Sequence, residues 1–368
     1  MDKRIILAVA GAGKTYTLGH EVDANKRNIV LAYTNQNVKN LKNEICDKYG
    51  GSIPANTQVL TFDSFLYRYF IRPYEKIILK FWNKCDVDMK GVEVNIKPEP
   101  KTIGGRYNRK YKDKNQFEHY VCKNKYYCSR IPELITYIKN KDINLFKIAM
   151  GNLNKYCDYI LIDEVQDFRE KYYDILEMII KESSNVVLVG DYYQHSVNGQ
   201  NNSGKPFKNC TYNQYIHNLE ELGLEVDVTS LSKSRRCTKK ICKLVREKLQ
   251  IEIEAEEKNI EGEIFFLEEE DEIEKVLLDN NIIKLVYNNS GIYKFKAMGW
   301  GISKGDTLQD TCVILTGEYS NIKNEDFKLS SKECTTNNKL YVALTRAKNN
   351  VYIITKEIFD RHKENYLK

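Results

Sequence analysis

The stretch "RIILAVAGAGKTYTL", residues 4–18, decides what kind of chain this is. Two readings compete for it. Basic residues, an apolar run and Ala8-Val9-Ala10 have the look of a secretory signal with a small-residue cleavage site. The same letters describe a buried strand feeding a glycine loop that closes in Gly13-Lys14-Thr15, where a phosphate would sit. The apolar run is too short for a signal and the glycine loop follows at once, so the second reading stands.

Such a loop works through its backbone. Consecutive N–H groups and a helix N-terminus surround a phosphate, the lysine reaches the β/γ oxygens, and the hydroxyl holds Mg²⁺. Gly11 and Gly13, set among Ala10 and Ala12, allow the close approach; Lys14 and Thr15 supply the charge and the metal ligand, with Tyr16 next along. A second signal lies in "YILIDEVQDF", where an apolar run ends in Asp163 and Glu164. An acid at a strand end can hold Mg²⁺, and its neighbour can orient and deprotonate an attacking water.

The rest of the chain supports an α/β protein. Short, β-branched apolar runs recur: "NIVLAYT", "TQVLTF", "DYILIDE" and "NVVLVGD", then "IIKLVYN", "TCVILTG" and "NVYIIT". Runs of this kind suit strands buried on both faces of a parallel sheet. Stretches such as "NQNVKNLKNEICDKYG", closing on Gly50, read as crossover helices. The runs fall into two sets, with breaks near residues 66–155 and near 230, so two domains are expected at 1–228 and 229–368.

Composition excludes some classes. With 42% hydrophobic and 29% charged residues among 368, the chain reads as soluble, and no apolar run reaches membrane-spanning length. Ten cysteines without pairing rhythm suit reduced thiols in the cytoplasm. The net charge of +6 is unevenly spread. Residues 101–141 carry eleven Lys/Arg against three acids, with seven aromatics between them. Arg106, Arg109 and Lys110 could there neutralise phosphates while aromatic rings stack on bases. A solvated surface is the competing reading. The acidic stretch 251–274 reads as a solvated face.

In this order "AGAGKT", "DEVQD", "GDYYQ" and "YVALTRA" resemble the UvrD/Rep/PcrA type of superfamily 1 DNA helicases. The resemblance covers most of the chain apart from residues 66–155 and 240–298. It implies two RecA-like P-loop domains with parallel sheets, a small insertion in the first, ATP between them and single-stranded DNA across the top. By that resemblance Lys14 and Thr15 hold phosphates and Mg²⁺, Asp163 coordinates the metal, and Glu164 is the catalytic base. Gln194 senses the γ-phosphate, and Arg236 and Arg346 are the arginines that reach the cleft from the second domain. Thr34, Asn35, Thr61 and the adjoining Phe62 fall at DNA-contacting positions, and Lys304-Gly305 match a Lys-Gly pair beside the nucleotide. A 3′-to-5′ DNA translocase or helicase is the implied activity, with RNA left open. The alternative is an ATP-gated, nucleic-acid-sensing subunit for a companion nuclease or phage-defence complex.

The departures are equally specific. No glutamine-bearing segment precedes the glycine loop, where only Met1 to Lys3 stand before the strand. Arg235 replaces a tyrosine that stacks on adenine in the family, Thr307 replaces a ribose-binding Glu, and Asp63 replaces a His. The family's Trp-Arg stretch after Gln194 is "VNGQNNS", residues 197–203. With no evident reader of the base edge, GTP and CTP are expected to be hydrolysed within about tenfold of ATP. Cys85, His119, Cys122 and Cys128 could form a zinc set, but their spacing fits no common motif, and unrelated thiols are the expectation.

Overall fold

The computed structural model describes residues 2–139, 141, 144–195, 204–258, 261–329 and 335–368. The "VNGQNNS" stretch lies outside the described residues.

Six strands form the first sheet: β1 (Lys3–Leu7), β2 (Asn28–Ala32), β3 (Thr57–Thr61), β4 (Tyr159–Ile162), β5 (Val186–Gly190) and β6 (Glu225–Asp227). All pair in parallel, in the order β6-β1-β5-β4-β2-β3. Side chains alternate between the two faces. In β1, Ile5 joins one core and Ile6 the other, and both are buried. Every residue of β2 and of β5 is buried, as expected for a sheet covered on both sides.

Five strands form the second sheet: β7 (Ile264–Phe266), β8 (Ile283–Val286), β9 (Ala297–Gly299), β10 (Thr311–Ile314) and β11 (Val351–Ile354). They too are all parallel, in the order β7-β11-β10-β8-β9. The acidic stretch feeds this sheet: Ile251 and Ile253 are buried while Glu252 and Glu254 between and beside them are exposed.

The segment between β3 and β4 is not a separate globule. It carries short hairpins and the helices Phe62–Leu66, Glu75–Phe81, Ile131–Lys139 and Leu145–Tyr156. Phe70, Tyr120, Tyr126 and Phe146 of this segment join the same buried cluster as Ile5 and Leu188 of the first sheet. No helix among the described residues is long and apolar enough to cross a membrane.

Candidate functional site

The loop after β1 sits where a ligand is held in parallel α/β sheets, beyond the carboxyl ends of the strands. Gly11 and Gly13 have φ of +74° and +90°, a region that residues bearing a Cβ rarely enter. Space is short as well: a Cβ on Gly11 would lie 2.7 Å from the Ser234 hydroxyl and 2.8 Å from Cβ of Arg236. Helix α1 (Lys14–Glu21) starts directly from Gly13. No side chain caps it, so its N-terminal N–H groups face the loop.

Both motif acids converge on this helix start. The Thr15 hydroxyl donates to Asp163 Oδ2 over 3.1 Å, and Lys14 Nζ lies 3.9 Å from Glu164 Oε1. Glu164 holds a left-handed backbone at φ +53°, uncommon for a residue with a side chain. Burial, with the Glu164 charge beside it, pushes the Asp163 carboxyl above the usual carboxylate range. Burial acts on Glu164 in the same upward sense, but Lys14 and Lys304 outweigh it and hold that carboxyl down. A part-buried hydroxyl–carboxylate pair at the cleft is an oxygen donor set that suits Mg²⁺.

Behind the acids runs a hydrogen-bond chain that the motifs contain but composition does not announce. Gln166 donates to Glu164 and accepts, at 3.0 Å, from the Asp191 N–H. Gln194 Nε2 donates to Asp191 Oδ2 over 2.8 Å. The Tyr341 hydroxyl donates to that same oxygen at 3.2 Å and accepts from the Ala10 N–H at 2.7 Å. Tyr341 lies on the helix Thr335–Leu344 beside the second sheet, so one hydroxyl ties that helix to the glycine loop.

Both arginines approach from the same side. Arg346, almost fully buried, donates through Nε to the Val342 carbonyl at 2.9 Å. Arg236 Nη1 donates to the Asp306 carbonyl at 2.8 Å and to the Thr307 hydroxyl at 3.3 Å. Burial, and next the charge of Arg236, push the Arg346 guanidinium down to about 9. Arg346 Nη2 and Arg236 Nε are buried with no hydrogen-bond partner among the described residues. Two close guanidiniums with orphaned N–H groups suit an anionic ligand such as a triphosphate.

One cleft of about 400 Å³ gathers these groups. Gly11, Gly13, Lys14, Thr15, Tyr16, Glu164 and Gln194 line it from the first sheet's side, and Arg235, Arg236, Gly305 and Arg346 from the second's. Ala10 and Ala12 are buried in the loop wall, and Asp163 lies beneath Thr15. Arg235 lays its guanidinium 5.1 Å above the Tyr16 ring and pairs with Glu256 at 3.0 Å. Asn37, Asn40, Glu44, Thr307 and Lys348 also line the cleft. Of these, Asn37, two residues past Asn35, and Thr307 belong to segments with a motif; Asn40, Glu44 and Lys348 carry no sequence signal that would have found them.

A second groove, of about 660 Å³, brings together Thr34, Asn35 and Thr61 with Tyr67, Arg68 and Arg72. Thr34 and Thr61 also cap helices, accepting from the N–H groups of Asn37 and Ser64 at 3.2 Å. Phe62 departs from expectation: it is 1% exposed and packs edge-on against Phe168 at 4.6 Å, so it supports the groove from below and offers no face to a base. Asp63 lines the groove, and its carboxylate accepts from the Tyr172 hydroxyl at 2.8 Å. Burial raises its pKa, against the opposing hydrogen bond from Tyr172.

Arg106 and Arg109 are exposed on and beside the hairpin of Thr102–Ile103 with Arg106–Tyr107, outside that groove. Lys110 lines a different depression, shared with Glu99 and Glu118. The supposed zinc residues do not assemble. His119 is spoken for by the Lys112 carbonyl at 2.5 Å and Glu133 at 3.0 Å, and no group of three or more His, Cys, Asp or Glu placed to hold a metal occurs among the described residues.

The fold and the glycine loop define a P-loop NTPase in which that loop faces a second parallel sheet across one cleft. The AAA domain family matches residues 2–200, and the viral superfamily 1 RNA helicase core domain matches residues 118–355. The chain belongs to these superfamily 1 helicase families. No curated protein matches the sequence. Among solved structures, arterivirus nonstructural protein 10 (helicase) is 12% identical, with a TM-score of 0.45 over 97% of this chain and 61% of that one. PRRSV helicase is 11% identical, with a TM-score of 0.44 over 99% and 54%. The arterivirus protein in complex with DNA gives 11%, 0.45, 98% and 62%. The chain thus spans between 54% and 62% of the length of these neighbours.

Proposed function

We propose that this helicase-family NTPase hydrolyses ATP with Mg²⁺ to move along single-stranded DNA, as two RecA-like domains at 1–228 and 229–368. The observation that carries the reading is the cleft itself. Lys14 and Glu164 face it from one sheet, and Arg236 and Arg346, each with an orphaned buried nitrogen, face it from the other. Closing such a cleft brings both cations onto the triphosphate, and hydrolysis releases them. Mg²⁺, held by Thr15 and Asp163, would supply charge neutralisation at the phosphates. Glu164 is the base, Lys14 anchors the β/γ oxygens, and Gln194 couples the γ-phosphate to Asp191 and Tyr341.

The strand lies in the groove of Thr34, Asn35 and Thr61, where Arg68 and Arg72 meet its phosphates. The motif order supports the UvrD/Rep/PcrA type and with it 3′-to-5′ travel. The thiol-rich composition supports a reducing, cytoplasmic setting. A second reading, a nucleotide-gated sensing subunit for a nuclease or other companion protein, draws on Asp63, an acid inside the groove that weakens the grip on a strand. Strand displacement on DNA and RNA duplexes with 3′ or 5′ tails tests the proposal. Unwinding from a 3′ DNA tail is expected; ATP-dependent binding without displacement on any tail favours the sensor.

A further inference from the structure

Helix α2 (Asn35–Lys48) carries Asn37, Asn40 and Glu44 at spacings of three and four, which puts them on one face. That face lines the nucleotide cleft beside Tyr16 and Arg235. Its approach depends on Gly19 in α1, where a Cβ would lie 2.8 Å from the Cβ of Glu44. Thr34 caps α2 through the Asn37 N–H and fixes where the face begins. Gln36 donates to Asn40 Oδ1 at 3.0 Å, which orients that carboxamide and leaves its two N–H donors available. The three side chains are only partly exposed, in a wall that sets donors and acceptors next to a stacking platform.

The platform is built from both sheets' sides. Tyr16 is backed by His20, ring centroids 3.9 Å apart, and covered by the Arg235 guanidinium at 5.1 Å. A planar base can take the place of either partner in such a stack.

We propose that Asn37, Asn40 and Glu44 read the edge of the nucleobase and make the site selective for purine nucleoside triphosphates. The inference rests on the nucleotide reading of the cleft and deepens it. A carboxylate only accepts, so Glu44 requires an N–H donor on the base: the 6-amino group of adenine, or N1–H and the 2-amino group of guanine. Carboxamides donate to the purine ring nitrogens or to O6, and can accept in return. The bicyclic ring covers more of Tyr16 and Arg235 than a pyrimidine does. Uracil offers Glu44 a single ring N–H and no amino group.

The test measures phosphate release and, separately, displacement of a fluorescent ATP analogue, using ATP, GTP, CTP and UTP at matched Mg²⁺. It compares the full chain with Asn40→Ala and Glu44→Gln. In place of the near-equal use of CTP that the motifs alone lead one to expect, at least one purine should exceed both pyrimidines by tenfold or more in kcat/KM and in competition, as expected for one or two missing polar matches. Both variants should bring those ratios within about threefold, since each removes one such match. Four nucleotides competing alike in the unaltered chain, or a purine preference that survives both substitutions, would overturn the base reader. The two readouts separate the claims. Purine-selective binding without hydrolysis keeps the base reader and removes the motor, whereas equal hydrolysis of all four does the reverse.

Discussion

Lys304, in the turn after β9 of the second sheet, and Glu164, just beyond β4 of the first, meet at 3.5 Å, with Lys304 Nζ also 2.6 Å from Asp167 Oδ1. The lysine is almost wholly enclosed, and its charge is kept by the acids: burial lowers its pKa, but Asp167 and Glu164 more than restore it. One cation from the second sheet thus holds both the proposed base and the turn that follows it.

Breaking that contact should cost stability. Removing one partner of a buried pair leaves an uncompensated charge, so Lys304→Ala should destabilise the chain by about 3–5 kcal/mol in denaturant unfolding. Lys304→Met combined with Asp167→Leu should recover most of the loss. A double variant that loses as much as the two single variants added together would mean that the pair is not coupled.

The chemistry of the first sheet separates binding from turnover. Lys14→Ala should weaken nucleotide binding, while Glu164→Gln should keep bound nucleotide and lose steady-state hydrolysis by orders of magnitude, because positioning and electrostatics supply nearly all the catalysis. Single-turnover phosphate release checks both. Turnover near the unaltered rate in Glu164→Gln would remove it as the base.

Salt dependence locates the strand. Removing one cation from a single-strand phosphate lowers the log–log slope by about 0.7. Arg68→Gln with Arg72→Gln should therefore flatten it by about 1.4, and Arg106→Gln with Arg109→Gln by a similar amount if the strand continues onto the hairpin. Fluorescence titrations from low to high salt give the slope. No change in the second pair returns the hairpin to an ordinary solvated surface.

One histidine sets an acid limit on folding. Burial pushes His195 down to about 4, against the opposing hydrogen bond to the Tyr192 carbonyl, while its ring stacks on Phe207 at 4.2 Å. The folded state therefore prefers the neutral ring, and the unfolded chain binds the extra proton first. Stability should fall as pH drops from about 6.5 towards 4, and level off below for this group. His195→Phe should flatten that part of a pH–stability curve. A slope that persists in the variant would assign it to other groups.

The motifs are legible in the sequence because their chemistry is local. Gly11, Gly13, Lys14, Asp163, Glu164, Gln194 and Arg346 need their residue types at fixed places in the loop, at strand ends and in the turn after the helix Thr335–Leu344, and all gather at one cleft. The edge strands Glu225–Asp227, Ile264–Phe266 and Ala297–Gly299 are not legible, since short half-exposed strands carry no continuous apolar run. Phe62 reads as a base contact because it adjoins Thr61, yet the turn into the following helix carries it inward. The α2 face is invisible because Asn37, Asn40 and Glu44 look like any solvated helix until α1 is packed against it through Gly19.

The central claim is that residues of both sheets complete one nucleotide site whose closure a nucleic-acid strand drives. Phosphate release with and without single-stranded DNA or RNA, in the unaltered chain and in Arg346→Ala, tests it most directly. The unaltered chain should be stimulated at least about tenfold, and Arg346→Ala should bind nucleotide within a few-fold yet lose about 10³-fold or more of the stimulated rate, as for arginine fingers. Hydrolysis indifferent to nucleic acid, or Arg346→Ala turning over like the unaltered chain, would contradict it.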